Sequence, residues 1–225
     1  MPVPDPTQAE RARVAARIRA CRRCPRLVAW REDGDRGLPV PGFGDPAATV
    51  FLLGLATAAP GNPTGRPFTA NRSADFLVAA LHRAGLADQP RSEHAGDGLR
   101  LSGAWMASAV RCPPPGHRPL AAERDACLQH LRDEWHALPH LRAVLALGAF
   151  AWDAALRAAD VDPRPRFTHG ARVATPDGPV LLASYHPSPQ NTNTNLLTAA
   201  MFDTVLGRAC AEGRYAPPTT SEEST

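Results

Sequence analysis

Four continuous apolar segments dominate the pattern of hydrophobic and polar positions along the chain. They predict β-strands over residues 49–55, 104–110, 141–147 and 180–185. Because these segments lack the alternation of a strand with one wet face, they are typical of a parallel sheet covered on both sides. A weaker pattern over 167–173 is compatible with one added strand.

Helical patterns separate these strands. Alanine-rich or amphipathic segments predict helices over 7–20, 73–84, 120–138, 150–159 and 196–212. Strands that alternate with helices indicate an α/β fold. We therefore expect a three-layer α/β/α architecture, with a central, mainly parallel four-stranded sheet flanked by helices. One domain is expected over residues 1–215, followed by a disordered tail over 216–225 that is rich in Pro, Ser, Thr and Glu.

Three polar loops, rich in glycine or proline, follow three of the predicted strands. They span residues 56–71, 111–119 and 186–195. In a parallel sheet, ligands bind beyond the carboxyl ends of the strands, and polar loops in that location carry function more often than packing. The three loops therefore predict one cleft at that edge of the sheet.

Four side chains in these loops are candidates for chemistry. Phe68 either stacks on a planar ring or anchors its loop on the core. Asn71 either positions a water or caps the following helix. His186 either acts on a reacting group, as an acid, a base or a stabiliser of negative charge, or caps a backbone carbonyl. Ser188 is a candidate contact for a phosphate.

Composition narrows the classes of function. All 25 basic residues are arginine, and the formal net charge is +3. Without lysine, Schiff-base chemistry on a lysine side chain and nucleotide binding through a P-loop lysine are excluded. The small positive charge permits a nucleic-acid partner without requiring one. No apolar run reaches 18 residues and the N-terminal segment lacks an apolar stretch, so we expect neither a membrane span nor a secretory signal.

Four of the five cysteines suggest a metal site. Cys21 and Cys24 form a C-x-x-C pair, while Cys112 and Cys127 lie in a proline-rich segment and in the helix after it. Four thiolates suit a structural zinc ion or an iron–sulfur cluster, and the spacing does not separate the two. In the alternative interpretation, Cys112 and Cys127 are small buried residues and the C-x-x-C pair is redox-active. Cys210 is expected to pack in the last helix.

Three groups of motifs resemble one known family. Gly54-Leu-Ala with Thr64-Gly-Arg-Pro-Phe68-Thr resembles its first active-site motif, and Tyr185-His-Pro-Ser with Gln190-Asn-Thr and Leu197-Thr198 resembles its second. The cysteine layout, with Cys112 followed by three prolines, resembles its [4Fe-4S] ligand set. Together the motifs are similar to the uracil-DNA glycosylase superfamily, and within it to the family 5 (type b) bacterial enzymes that carry an iron–sulfur cluster. The resemblance covers about residues 20–208.

The resemblance implies a role for each motif. Phe68 would stack on a base flipped out of DNA, and His186 would stabilise the departing base anion. Asn71 stands where the family has the aspartate associated with the attacking water. The loop from His186 to Leu197 would enter the minor groove. The implied ligands of a structural [4Fe-4S] cluster are Cys21, Cys24, Cys112 and Cys127. The implied substrate-binding residues are Gly54, Ala56, Phe68, His117, Ser188 and Asn191.

By the same resemblance, the protein is expected to be a DNA-repair enzyme, a uracil-DNA glycosylase. It would hydrolyse the N-glycosidic bond of uracil, with hypoxanthine and xanthine as further candidate bases, and leave an abasic site without cutting the strand. Its partner would be single- or double-stranded DNA. We expect a monomer in the bacterial cytoplasm, associated with the nucleoid. The alternative is a catalytically weak protein that binds uracil or abasic sites in DNA and keeps a structural iron–sulfur cluster.

Five positions depart from the family's motifs. Thr57, Ala70 and Asn71 stand where the first motif usually has proline, glycine and aspartate, and His117 stands where the family often has asparagine. Pro189 stands where the second motif usually has arginine. An amide at position 71 can orient a water but cannot take its proton, which motivates the weak-binding alternative. The arginines in or beside the predicted cleft loops are Arg66, Arg72, Arg111 and Arg118.

Overall fold

The computed structural model describes residues 6–34, 37–58 and 65–214. Its helices are α1 (Pro6–Arg19), α2 (Pro25–Glu32), α3 (Arg72–Arg83), α4 (Ala121–His136), α5 (Ala149–Ala158), α6 (Pro189–Asn193) and α7 (Ala199–Arg214). Its strands are β1 (Phe43–Gly44), β2 (Val50–Ala56), β3 (Ala104–Val110), β4 (Ala143–Leu147), β5 (Arg172–Val173) and β6 (Val180–Ser184). The expected tail over 216–225 and residue Thr64 of the first motif lie outside the described residues.

The strands form one sheet in the order β1-β3-β2-β4-β6-β5. The four inner strands β3, β2, β4 and β6 are parallel, as their apolar segments predict. β1 and β5 add two-residue antiparallel pairings at the two edges, so the sheet has six strands rather than the expected four. Strands of two residues carry no hydrophobic run, and the sequence pattern therefore misses β1 and makes β5 too long.

Helices cover both faces of the sheet and complete the three layers. Leu52 of β2 packs on one side with Leu77 of α3 and Phe202 of α7. Its neighbour Phe51 packs on the other side with Leu131 of α4. All five side chains are almost fully excluded from solvent, and each burial of this size contributes about 2 kcal/mol. The inner strands are therefore a firm base for the loops at their carboxyl ends.

The helices differ from expectation in three places. α2 follows the C-x-x-C pair directly, with Pro25 in its first turn, where the fixed φ of proline suits a helix and its missing N–H is not needed. α6 begins at Pro189 in the same way, inside the last loop. α7 begins at Ala199 rather than at 196, which leaves Leu196 in that loop. None of the helices in the described part of the chain is long and apolar enough to cross a membrane.

Candidate active site and cysteine cavity

The candidate residues lie at the carboxyl ends of neighbouring parallel strands. β2, β4 and β6 are adjacent and end at Ala56, Leu147 and Ser184. Because the strands run in the same direction, the loops that hold Phe68 and His186 leave from one edge of the sheet, the edge formed by the carboxyl ends of its strands. β3 pairs with β2 in parallel, so the loop after β3 leaves from the same edge.

Phe68 lies over the backbone of β2. Its φ is 52°, a left-handed conformation that is uncommon outside glycine. A Cβ added to Gly54 would stand 2.4 Å from Cζ of the Phe68 ring, so only glycine allows this close approach. The half-buried ring packs against the apolar cluster of β2, α3 and α7. Phe68 therefore anchors its loop on the core and remains partly exposed.

Asn71 is the N-cap of α3. Its Oδ1 accepts a hydrogen bond from the N–H of Ala74 at 3.0 Å, and its Nδ2 donates to the carbonyl of Thr69 at 3.0 Å. The capping interpretation is confirmed. A carboxylate here could accept the first bond but could not make the second, because it has no N–H to donate. Oδ1 has a second lone pair with which the amide can accept a hydrogen bond from a water.

A buried ion pair braces the loop that carries Phe68. Arg66 donates to the two carboxylate oxygens of Asp97 at 2.9 and 2.5 Å, and to Oγ of Ser92 at 2.8 Å. The Arg66 guanidinium holds the pKa of Asp97 well below its usual range. Arg66 therefore lies in the cleft loop as expected, but its charge is paired with the buried carboxylate of Asp97. Asp97 lies in no motif, and no sequence signal indicates its part in the site.

His186 follows β6 and lies beside Gly148 at the start of α5. A Cβ on Gly148 would stand 3.2 Å from Cβ of His186, and Gly148 has a φ of 90°, so glycine fits here on both counts. Burial lowers the pKa of His186 to about 4. At neutral pH the imidazole is uncharged, with one nitrogen that donates and one that accepts. Such a ring can donate a hydrogen bond to an oxygen that gains negative charge.

The residues after His186 hold its backbone in place. The carbonyl of His186 accepts hydrogen bonds from Nδ2 of Asn191 and from the N–H of Ser188, both at 2.8 Å. Ser188 is also the N-cap of α6 and accepts from the N–H of Asn191. Within the described residues, the His186 side chain donates to no backbone carbonyl. The loop therefore uses Ser188 and Asn191 as internal braces.

His169 is a residue of the site that sequence reasoning missed. Its ring stacks on Tyr185 with centroids 5.0 Å apart, and its Nδ1 accepts from the N–H of Tyr185 at 3.1 Å. Because Nδ1 is the acceptor, the proton of the neutral ring lies on Nε2. His169 thus supports the residue immediately before His186. The weak strand pattern over 167–173 gives no indication of this contact.

Leu196 projects from the loop after β6. It is 46% exposed, whereas the adjacent Leu197 is 1% exposed. The leucine pair resembles the start of a helix in the sequence, but Asn195 has a φ of 57° and turns the chain before α7. A large exposed apolar side chain among polar loop residues is suited to contact with a partner.

The four cysteines implied as ligands line one cavity. Cys21, Cys24, Cys112 and Cys127 all border it. Burial raises the pKa of Cys24 to about 11 and that of Cys112 to about 12. Among the described residues, no group of three or more His, Cys, Asp or Glu side chains is arranged to hold a single metal ion. Ala56 at the end of β2 packs against the cysteine cluster, so the cavity adjoins the base of the active-site loop.

Arginines surround this cavity. Nη1 of Arg31 donates to Sγ of Cys112 at 3.2 Å, and Arg23 and Arg111 border the same space. Arg111 is 1% exposed. Its Nη2 lies 2.9 Å from Oε2 of Glu134 in an ion pair, but none of its three guanidinium nitrogens has a hydrogen-bond partner in the described part of the chain. Buried unpaired donors are costly, so Arg111 favours an anionic group in the cavity.

Comparison with known proteins decides the family. The model of the uracil DNA glycosylase superfamily matches residues 41–209. The chain belongs to this superfamily. A type-5 uracil-DNA glycosylase of Mycobacterium tuberculosis is 47% identical over 210 residues, which cover 86% of this chain and 78% of that protein. The type-5 enzyme of Thermus thermophilus is 47% identical over 205 residues, covering 85% and 93%. That of Pyrobaculum aerophilum is 42% identical over 207 residues, covering 87% and 90%.

Two departures from the superfamily's motifs have visible structural consequences in this member. Thr57 donates from Oγ1 to the carbonyl of Arg111 at 2.9 Å, which ties the end of β2 to the end of β3. Proline has no hydroxyl and could not make this bond. His117 ends a short 3₁₀ turn with a φ of 59° and is exposed.

Proposed function

We propose that the protein is a uracil-DNA glycosylase that acts on a base flipped out of DNA. One observation carries the proposal: in a member of this superfamily, Phe68 over Gly54 and neutral His186 beside Gly148 meet the same edge of the sheet. A duplex hides the glycosidic bond, so the base must leave the stack before it can react. An aromatic ring that stacks on one base is worth about 1–3 kcal/mol.

His186 supplies the main catalytic interaction in this proposal. As the glycosidic bond breaks, negative charge accumulates on the carbonyl oxygen of the departing base. A neutral imidazole N–H that is already oriented stabilises this charge without rearrangement. The oxocarbenium ion left on the sugar captures water with little help from a base. Asn71, which can orient that water, is sufficient for this step.

The proposed reaction stops at the abasic site. A strand-cutting lyase step needs an amine that forms a Schiff base with the opened sugar. The chain contains no lysine, which leaves only the N-terminal amine. The proposed range of bases includes hypoxanthine and xanthine besides uracil, because the side chains of Gly54 and Ala56 carry little bulk to restrict base size.

We also propose that the four cavity cysteines hold a structural [4Fe-4S] cluster. The four cysteines border one cavity, and four thiolates are the ligand set of such a cluster. Arg31 and Arg111 offset the negative charge of four thiolates. When bound, the cluster would cross-link the N-terminal helices to α4 and take no part in the reaction.

The decisive experiment measures excision from a labelled duplex with one uracil, with and without alkali treatment. We expect strand breaks only after alkali, and none in a matched thymine duplex. His186→Ala should remove most of the activity, while the exposed surface residue His140 provides the matched control, His140→Ala. Breaks without alkali contradict the monofunctional assignment. Binding of the uracil duplex with no breaks in either lane rejects the enzyme and favours the weak-binding alternative.

The variant Asn71→Asp separates these two functions further. An aspartate that acts as a general base can contribute about 100-fold or more. If the dissociative mechanism holds, the rate changes only a few fold, because water capture needs little assistance. A gain near 100-fold would indicate that the native amide leaves the protein a poor catalyst. Asn71→Ala serves as the control for loss of the helix cap.

A further inference from the structure

In the described part of the loop that presents Phe68, residues 65–71, two non-glycine residues have a left-handed backbone conformation. Phe68 has a φ of 52° and Ala70 a φ of 55°. Each such residue costs about 1–2 kcal/mol and persists only where the surroundings impose it. The orientation of the Phe68 ring is therefore not a local preference of the loop. Something outside the loop must hold it.

The surrounding contacts converge on one carboxylate. Besides both nitrogens of Arg66, Asp97 accepts from the N–H groups of Glu93, His94 and Leu99, at 2.7, 3.3 and 3.0 Å. Its side chain is 7% exposed and that of Arg66 is 3% exposed. Asp97 therefore orders the segment 93–99 and clamps Arg66 at the same time.

The clamp is continuous with the strained residues. Oγ of Ser92 accepts from Arg66 and lies 2.9 Å from Oγ1 of Thr69, and the carbonyl of Ser92 accepts from the N–H of Ala70 at 2.8 Å. The residues on either side of Phe68 are thus tied to the 92–97 segment. On its open side the Arg66 guanidinium lies over the ring of Phe43, 5.1 Å from its centroid.

We propose that Asp97 is a positioning residue for base recognition, which acts through Arg66 to hold the Phe68 ring in the orientation that stacks on the flipped base. The inference rests on the proposed function. It adds a residue far from both active-site motifs, in a loop that precedes β3. Asp97 touches no substrate in this scheme, and its effect reaches the base only through Phe68.

The test is a double-mutant cycle on uracil excision under single-turnover conditions. Asp97→Asn keeps the shape of the side chain but removes the negative charge that pairs with the Arg66 guanidinium. It should lower the excision rate by about 10- to 100-fold, the effect expected of a misplaced contact. In a Phe68→Ala background the same change should cost little, because the ring it positions is gone. Equal losses in the two backgrounds would overturn the proposal.

Two further measurements exclude a general folding defect. Binding to a duplex with a tetrahydrofuran abasic site uses no base, so Asp97→Asn should bind it within about 2-fold of wild type, an affinity difference below about 0.5 kcal/mol. The exposed bidentate pair Arg83–Asp203 supplies the control Asp203→Asn, which should match wild type throughout. If Asp97→Asn does not fold, Ser92→Ala weakens the same clamp more gently and should give a smaller loss with the same dependence on Phe68.

Failure of the proposed function has a different signature. If wild type excises no base, the function itself is wrong. If wild type excises uracil and Asp97→Asn matches it, only the role of Asp97 is wrong.

Discussion

At the scale of single residues, the site is built from close approaches that only glycine permits. Gly54 leaves room for the Phe68 ring and Gly148 leaves room for His186. Burial at this second position also decides the charge state of the imidazole. Packing and electrostatics at one residue are therefore two results of the same fold.

The lowered pKa of His186 predicts how stability depends on pH. An unfolded histidine has a pKa near 6.5, so as the pH falls below that value the unfolded chain takes up the proton first. Stability is therefore lost between about pH 6.5 and pH 4. Urea denaturation at pH 7 and pH 5 should show a larger loss for wild type than for His186→Gln. The control His140→Gln, at an exposed residue, should lose as much as wild type. Equal losses in all three proteins contradict a buried neutral ring.

The residues of the site differ in how far sequence could predict them. Sequence could indicate Phe68, Asn71 and His186, because they stand in motifs or in loops that follow buried strands. The structure brings Phe68 and His186 to the same edge of the sheet. Asp97 and His169 could not be predicted, because each acts through a partner distant in sequence: Arg66 in one case and Tyr185 in the other. Such pairs depend on tertiary packing, which no local pattern encodes.

At the scale of elements, the inner strands were predictable to within two residues at each end. They are buried on both faces, and burial of whole strands leaves an uninterrupted apolar run. The edge strands and the short helix α6 lack that signature. The predicted start of α7 was wrong because Leu196 and Leu197 are both apolar and extend the helical pattern of the sequence. In the structure Leu196 is exposed, and the N–H of Leu197 donates to the carbonyl of Asn191 in the loop.

The exposed Leu196 predicts a difference between duplex and single-stranded substrates. An apolar wedge that enters a base step helps to keep a flipped base out of the stack, at a cost of a few kcal/mol in unstacking. Leu196→Ala should therefore slow excision from duplex DNA by about 10-fold or more and leave single-stranded uracil nearly unaffected. Single-turnover rates on the two substrates measure this ratio. Leu38, which is 66% exposed and belongs to none of the three cleft loops, supplies the control Leu38→Ala. An equal effect on both substrates argues against a wedge.

At the scale of the whole molecule, the four arginines in or beside the cleft loops divide into two buried side chains and two exposed ones. Arg66 and Arg111 are buried in ion pairs, while Arg72 and Arg118 are exposed beside the cleft loops. Only an exposed guanidinium releases counterions when it meets a phosphate. Arg72 and Arg118 are therefore the two cleft arginines placed to meet phosphates of the proposed substrate.

This division predicts the salt dependence of DNA binding. Replacing Arg72 or Arg118 with glutamine should reduce the slope of log affinity against log salt by about 1 each. Fluorescence anisotropy with an abasic duplex over a salt series measures the slope. Arg100 precedes β3, at the opposite edge of the sheet, and is exposed, so Arg100→Gln is the matched control. Unchanged slopes for Arg72→Gln and Arg118→Gln would assign DNA contact elsewhere.

The cysteine cavity predicts a second property of the whole chain. Cys112→Ser should lower the iron and sulfide content of the purified protein, bleach its visible absorption and reduce its melting temperature. Loss of a cross-link between distant segments explains the last effect, as for other metal-stabilised folds. Cys210→Ser, in α7 and away from the cavity, should retain the metal content and colour of wild type. Zinc in place of iron in anaerobically purified wild type would reject the cluster.

The contacts of α2 also set the order in which the molecule can be completed. Arg31 bonds to Cys112 and Arg26 to Glu123, which lie 81 and 97 positions later in the chain. At about 5–20 residues per second, Arg26 is synthesised roughly 5 to 20 seconds before Glu123. During that interval Cys21 and Cys24 have been synthesised but Cys127 of α4 has not. The cavity is therefore complete only once α4 has been made, and loading of the proposed cluster would follow the synthesis of more than half of the chain.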